Sequence, residues 1–291
     1  MKNRIKIIAA VIVLVCSLSV AVYPAISNYY SRKQNNVIIT ETSTLLENTV
    51  STELEAERNK AKEYNKTLLP TAEKISTIEE YESILNLGGN GIMGVLNIPC
   101  IDVSLPIFHG TGTDALEKGV GHVYSTSLPV GDVGTHSVLS AHSGMADKRL
   151  FTDLDKLTMG DVFTVSVLGE KLYYKVNQIK IVLPHVTEDL AIQQGKDYVT
   201  LITCTPYAVN THRLLVRGER FYPTDEETEE YSNPDTKSST WVQQYAKGIL
   251  TGILCAGILI LTYISIKKYK SRRLKNVEFT FDENNTNSIG S

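Results

Sequence analysis

The chain has 291 residues, 42% hydrophobic and 21% charged, and its 29 Lys and Arg against 32 Asp and Glu give a formal net charge of −3. That length allows one or two domains with a real core, and the composition, with 19 Gly and 9 Pro, excludes collagenous, fully disordered and low-complexity chains. The charge balance supplies no general positive field for phosphates, so no nucleic acid is expected as a partner.

Residues 7–22 (IIAAVIVLVCSLSVAV) carry no charge and follow Lys2, Arg4 and Lys6, the pattern of an export signal or membrane anchor. At about 1.5 Å per residue the run reaches roughly 24 Å, short of a ~30 Å hydrocarbon core. A signal peptide, for which Ser19-Val20-Ala21 offers a cleavage site, and a short anchor both stay open. From about Thr40 to Leu87 the chain is rich in Glu, Lys, Ala and Leu, which predicts an amphipathic helical pair packed on the domain.

The cluster Gly88-Gly89-Asn90-Gly91 ends the helical stretch, and a β domain begins. Strand candidates are Ile92–Ile98, Ser137–Ala141, Asp161–Leu168, Lys171–Ile181, Tyr198–Thr203 and Arg213–Arg217, short elements that suggest a barrel or sandwich. After Tyr222 the acidic segment TDEETEEYSNPDTKSST reads as a solvated stalk. Gly248–Ile266 is uncharged and stops at Lys267, Lys268, Lys270, Arg272, Arg273 and Lys275, a stop-transfer pattern. Both basic flanks then belong in the cytoplasm and residues from about 30 to 245 on the outer face.

His109, His122, His136, His142, His185 and His212 show no metal-ligand spacing, and neither a P-loop, a G-x-G-x-x-G nor a G-x-S-x-G occurs; no metal and no cofactor is expected. Cys16 and Cys255 fall in the apolar segments as small hydrophobes. Cys100 and Cys204 could pair in an oxidising compartment, but a free, useful thiol is as plausible.

Cys204 ends the strand-like run Tyr198-Val-Thr-Leu-Ile-Thr, and nine positions on Arg213 opens the next apolar strand. A hairpin would bring the guanidinium near the thiol, where a fixed positive charge favours thiolate and can stabilise an oxyanion. An unperturbed thiol is only a few per cent thiolate at neutral pH and needs a base or cation nearby. His142, ending the run Ser137–Ala141 before the turn Ser143-Gly144, is the candidate. Singly, a strand cysteine is more often core and a histidine more often a satisfied surface residue.

Leu201–Arg220 (LITCTPYAVNTHRLLVRGER) resembles the active-site signature of the sortases. Gly134–Gly144 (GTHSVLSAHSG) resembles the catalytic-histidine segment of the class C, pilus-building sortases, and Leu96–Thr111 (LNIPCIDVSLPIFHGT) their first barrel strands. The resemblance covers roughly residues 55–222. It implies a mostly β fold: a closed sortase-type β-barrel with N-terminal helices, flanked here by two membrane segments. It also implies transpeptidation at the outer membrane face. Cys204 would cleave an LPxTG-like sorting signal to an acyl thioester, a pilin lysine would release it, His142 would move the protons and Arg213 would steady substrate or oxyanion. Partners implied are pilin subunits carrying the signal and an acceptor lysine, and the membrane. Cys100, where the family commonly has another residue, reads as filler.

Many class C members carry a lid anchored by an Asp-Pro-aromatic motif. This chain has no Asp before Asp102, and Leu69-Pro70-Thr71 supplies neither acid nor aromatic, so a lid of that form is not expected and Cys204 is expected to be accessible at rest. The expected organisation is a signal or N-terminal membrane segment at 1–30, a helical region at 31–90, the catalytic barrel at 91–223, a polar stalk at 224–246, a transmembrane helix at 247–267 and a basic tail at 268–291. Competing readings are a sortase using a cell-wall peptide amine, a cysteine protease, and a non-enzymatic exported binding or scaffold module for which Cys204 is dispensable.

Overall fold

The computed structural model describes residues 2–69, 77–143, 145, 148–232, 247–258 and 260–269. The chain forms two compact units, Met1–Ser238 and Ser239–Ser291. In the second, the helix Lys247–Tyr269 has mean hydropathy 2.3 and is long and apolar enough to cross a membrane.

The first unit opens with α1 (Lys2–Asn48), one helix that runs straight through the boundary expected at residue 30, with Pro24 inside it. Its portion from Ile12 is likewise long and apolar enough to span a bilayer. α2 (Ser51–Thr67) buries Glu57, Ala61, Tyr64 and Asn65, the i, i+4, i+7, i+8 stripe of one helical face. The stripe is part polar because it docks through its own hydrogen bonds. Leu128 donates its N–H to Asn65 Oδ1 at 2.7 Å, Asn65 Nδ2 donates to the Leu128 carbonyl at 3.1 Å, and Glu57 accepts from the Leu85 N–H at 2.7 Å. α3 (Ile78–Ser83) starts at a capping box between Thr77 and Glu80, which satisfies N–H groups the first turn leaves unpaired. The Leu69-Pro70-Thr71 stretch that bears on the lid runs into residues 70–76, outside the described residues.

Eight strands follow: β1 (Ile92–Ile98), β2 (Val103–His109), β3 (Val120–His122), β4 (Thr135–Ser140), β5 (Val162–Val167), β6 (Glu170–Val182), β7 (Asp197–Thr205) and β8 (His212–Phe221). They close in the order β1-β2-β3-β4-β7-β8-β6-β5. Pairing is antiparallel except at β2–β3 and β4–β7, and closure leaves no open sheet edge. All six strands expected individually are present. β3 has only three residues and no alternation to reveal it. Its Gly121 permits the close parallel approach to β2, since a Cβ there would lie 2.4 Å from the Gly110 carbonyl oxygen.

The interior is filled by the inward residues of each strand, among them Leu96, Ile107, Leu139, Phe163, Val165, Tyr174, Val199, Leu201 and Val216. A short α4 (Thr113–Lys118) lies between β2 and β3. The stretch expected as a stalk begins as a helix, α5 (Asp225–Ser232), because Tyr231 gains ring contacts with Phe221 and Tyr173, centroids 6.0 and 6.5 Å away. Residues 233–246 lie outside the described set. No disulfide joins Cys100 to Cys204, and Cys100 packs against the core cluster.

Candidate active site

Strand register brings the site together. In the parallel β4–β7 pair Ser140 stands beside Ile202, and the Ala141 N–H continues the ladder to the Ile202 carbonyl at 3.2 Å. Two residues further, His142 comes level with Cys204. On the other side of β7, Cys204 stands opposite Arg213 in the antiparallel β7–β8 pair. Histidine, cysteine and arginine thus form one row, Cys204 and Arg213 paired on the neighbouring strands β7 and β8 and His142 two residues past the end of β4, all three lining one cleft.

Parity fixes which way the row faces. Leu139, Val199, Leu201, Leu214 and Val216 belong to the interior cluster, so His142, Cys204 and Arg213, at the alternate positions, face outward. Two hydrogen bonds lock the rim beneath them: Thr203 Oγ1 donates to the Ala141 carbonyl at 2.8 Å and Ser143 Oγ donates to the Cys204 carbonyl at 2.6 Å. Arg213 Nη1 donates to the carbonyls of Asn210 and His212 at 3.2 and 3.0 Å; its Nε and Nη2 have no partner among the described residues. Nor do the His142 ring and the Cys204 thiol, and Cys204 is half-buried.

The row opens into a cleft of about 540 Å³. Ile202, Leu215, Leu116 and Val123 line it, with Val182 at the end of β6, and Pro184, Val186 and Leu190 belong to the β6–β7 connection. That connection is moored at several points. Lys180 and Gln178 reach Asp189 at 2.6 and 3.3 Å, and the Lys180 hydrogen bond holds the Asp189 carboxyl below its usual range.

His136 is the third mooring. One ring nitrogen, Nδ1, lies 3.0 Å from the Ala191 carbonyl and the other, Nε2, 2.7 Å from Thr200 Oγ1. A carbonyl can only accept, so Nδ1 carries the proton and Nε2 accepts from the hydroxyl. Burial keeps this ring neutral, with its pKa below the usual histidine value. Sequence reasoning weighed His136 only as a metal ligand and passed over Ser143 and Thr203; no local pattern marks their partners, which lie 55 to 64 residues away.

Chemically, a thiol flanked by an imidazole and a guanidinium in a largely apolar cleft is equipped to attack a carbonyl and stabilise the charge that develops. Fold and site together define a closed β-barrel protein with a cysteine–histidine–arginine row on its outer rim. The Sortase domain family model matches residues 96–221. The crystal structure of sortase C1 from Streptococcus agalactiae is similar at TM-score 0.61 and 43% identity, over 64% of this chain and 99% of that one. The pilus-related sortase C of Group B Streptococcus is similar at TM-score 0.57 and 40% identity, over 63% and 96%. Sortase D of Bacillus subtilis (strain 168) is 34% identical over 130 residues, 44% of this chain and 63% of that protein. The chain belongs to the sortase family.

Proposed function

We propose that the chain is a class C sortase, a cysteine transpeptidase that cleaves LPxTG-like sorting signals and joins pilin subunits through a lysine amine. The observation that carries this reading is the level row of His142, Cys204 and Arg213 at the mouth of the cleft. Similarity to a pilus-related sortase C favours pilin as the substrate.

Cys204, its thiol proton passed to His142, attacks the carbonyl carbon of the signal's threonine through Sγ, and the oxyanion formed is steadied by Arg213. The C–N bond to glycine breaks, His142 gives its proton to the departing amine, and a thioester remains. The lysine amine of a second subunit then attacks the same carbon and passes a proton to His142, and Cys204 leaves. One imidazole serves both half-reactions because the second is the first in reverse with a different amine. The barrel works on the outer membrane face, with the C-terminal tail in the cytoplasm.

A second reading is the same thioester released by a cell-wall peptide amine. The full chain incubated with an LPxTG-like peptide should show by intact mass spectrometry an acyl adduct that Cys204→Ala lacks. Adding a lysine-bearing pilin should yield a ladder of covalent multimers under the first reading and none under the second. Absence of any adduct across several such peptides sinks both.

A further inference from the structure

A second, smaller cleft of about 150 Å³ lies between α1, β2 and residues 148–150, away from the catalytic row. Its charge is lopsided. Arg32 pairs with Asp102 at 2.5 Å and also donates to that residue's backbone carbonyl at 2.7 Å, both through Nη2; its Nε and Nη1 have no partner among the described residues. Arg149 pairs with Asp153, which Lys156 shares at 2.8 Å. Lys148 spends one N–H on the Glu117 carbonyl at 2.7 Å and keeps two. Four cations thus meet two carboxylates among the described residues. Burial first, and then the like charge of Arg32, push the Arg149 pKa down against the opposing pull of Asp102. Asn35, only 6% exposed, lines the same cleft, and no described residue offers its side-chain amide a hydrogen-bond partner. The cleft thus offers cationic and amide donors to something that accepts hydrogen bonds.

The position of the cleft along α1 says what that something is. A ~30 Å hydrocarbon core takes about 20 helical residues, so a span starting at Ile7 ends near Ile26. Arg32 stands six residues beyond, about 9 Å along the axis, and helical side chains lean toward the helix N-terminus, here back toward the bilayer. Tyr23, Tyr29 and Tyr30 are 56%, 66% and 60% exposed on this stretch, as rings at a membrane–water boundary are.

We propose that this cleft binds the phosphate of an anionic phospholipid headgroup, of the phosphatidylglycerol type, through Arg32, Lys148, Arg149 and the Asn35 amide. The proposal rests on the reading that α1 spans the membrane. A bound headgroup beside the helix gives the barrel a second attachment and fixes its rotation about α1.

The test uses the full chain in a nonionic detergent, titrated with phosphatidylglycerol, phosphatidylcholine or inorganic phosphate and followed by native mass spectrometry. One phosphatidylglycerol should be retained at least about tenfold more strongly than phosphatidylcholine. Arg32→Gln with Lys148→Gln should remove most of that preference, and Asn35→Leu, which fills the cleft without changing charge, should lower it. Lys62→Gln, at a half-buried residue of α2 paired with Asp132, should not. Equal retention of the two lipids, or a preference surviving the double variant, overturns the proposal. So does inorganic phosphate binding as tightly as the lipid, which makes the ligand a free anion. A parallel carbonate extraction of vesicles separates the two claims. Release of the chain overturns the membrane reading and the proposal with it, whereas a retained chain without lipid preference overturns the proposal alone.

Discussion

The row at the mouth of the cleft and the histidine knot at α3 both use histidine, to opposite ends. In the knot, the Tyr81 hydroxyl lies 3.0 Å from His122 Nδ1 and 3.2 Å from its carbonyl and accepts the Gly110 N–H at 2.9 Å. His122 Nε2 faces the Ser127 carbonyl at 2.9 Å, and the His109 nitrogens face the Gly91 and Ile84 carbonyls at 3.0 and 2.7 Å. Tyr81 with His122 Nδ1 and the Ile84 carbonyl with His109 Nε2 tie α3 and its C-cap to β3 and β2, while the other two ring nitrogens face the Ser127 and Gly91 carbonyls of adjoining loops. In the row, the His142 ring and the Cys204 thiol hold no described partner, and the surrounding backbone supplies the rigidity instead. A polar group bound on all sides stabilises the fold and has nothing left for a substrate; one left open at a rim lowers stability slightly and is free to react.

The largest effects should come from the row. Cys204→Ala should cut product formation by at least about a thousandfold and His142→Ala by about a hundred- to ten-thousandfold, measured as peptide transpeptidation per folded molecule, with melting temperatures close to wild type. Retained transpeptidation in Cys204→Ala would remove the thiol from the nucleophile's role.

Arg213→Ala should cost about a hundred- to a thousandfold in kcat, or roughly 3–4 kcal/mol. Lysine should rescue little, because a point charge does not replace the planar fork. A change confined to KM would instead assign the guanidinium to substrate binding.

Acid stability tests the knot. Burial lowers the His122 pKa to about 4, so the stability it contributes is present above about 6.5 and lost as pH falls through 4, on the order of 3 kcal/mol. Burial raises the Asp197 carboxyl to about 6, which acts with the opposite sign: its contribution is present below about 4 and lost as pH rises through 6. The two windows overlap, so Asp197 offsets part of the loss from pH 6.5 to 4, to which His136, its pKa also lowered by burial, adds. Asp197→Asn should expose the histidines' loss, read as a falling denaturant midpoint over that range. A flat profile in the variant contradicts the assignment.

Tyr81→Phe strips the knot of its hydroxyl and should destabilise by about 1–3 kcal/mol without altering kcat, the reverse of the row variants. The smallest effect belongs to His136→Leu, which frees the β6–β7 connection at Ala191. We expect about a tenfold fall in kcat/KM for the sorting peptide, equivalent to ~1.4 kcal/mol, carried mainly by KM, with no change in reaction of the thiol with a small alkylating reagent.

Much of this molecule is legible in its sequence because the signals are local. Charge-free runs of membrane-spanning character, strands of alternating burial such as β6 and β7, and a cysteine at a strand end nine residues before an arginine can each be read in a short window. The short range of such signals also explains the failures. α1 continues past residue 30 because packing along the barrel supports a stretch whose own residues announce no join, and α5 forms where a solvated stalk is expected because Tyr231 finds an aromatic surface. β3 is too short to show a period and exists only as a neighbour of β2 and β4.

By itself the sequence determined the element types, the two apolar helices and the identities of His142, Cys204 and Arg213, since hydrophobic period and residue chemistry act over a few positions. Only the tertiary structure decided that residue 142 stands level with residue 204, that His136 moors a cleft wall while His122 locks a helix, and that Arg32 and Arg149 face one cleft. Those are matters of register and docking between segments far apart in the chain, fixed by the closure of the barrel and the burial of its core.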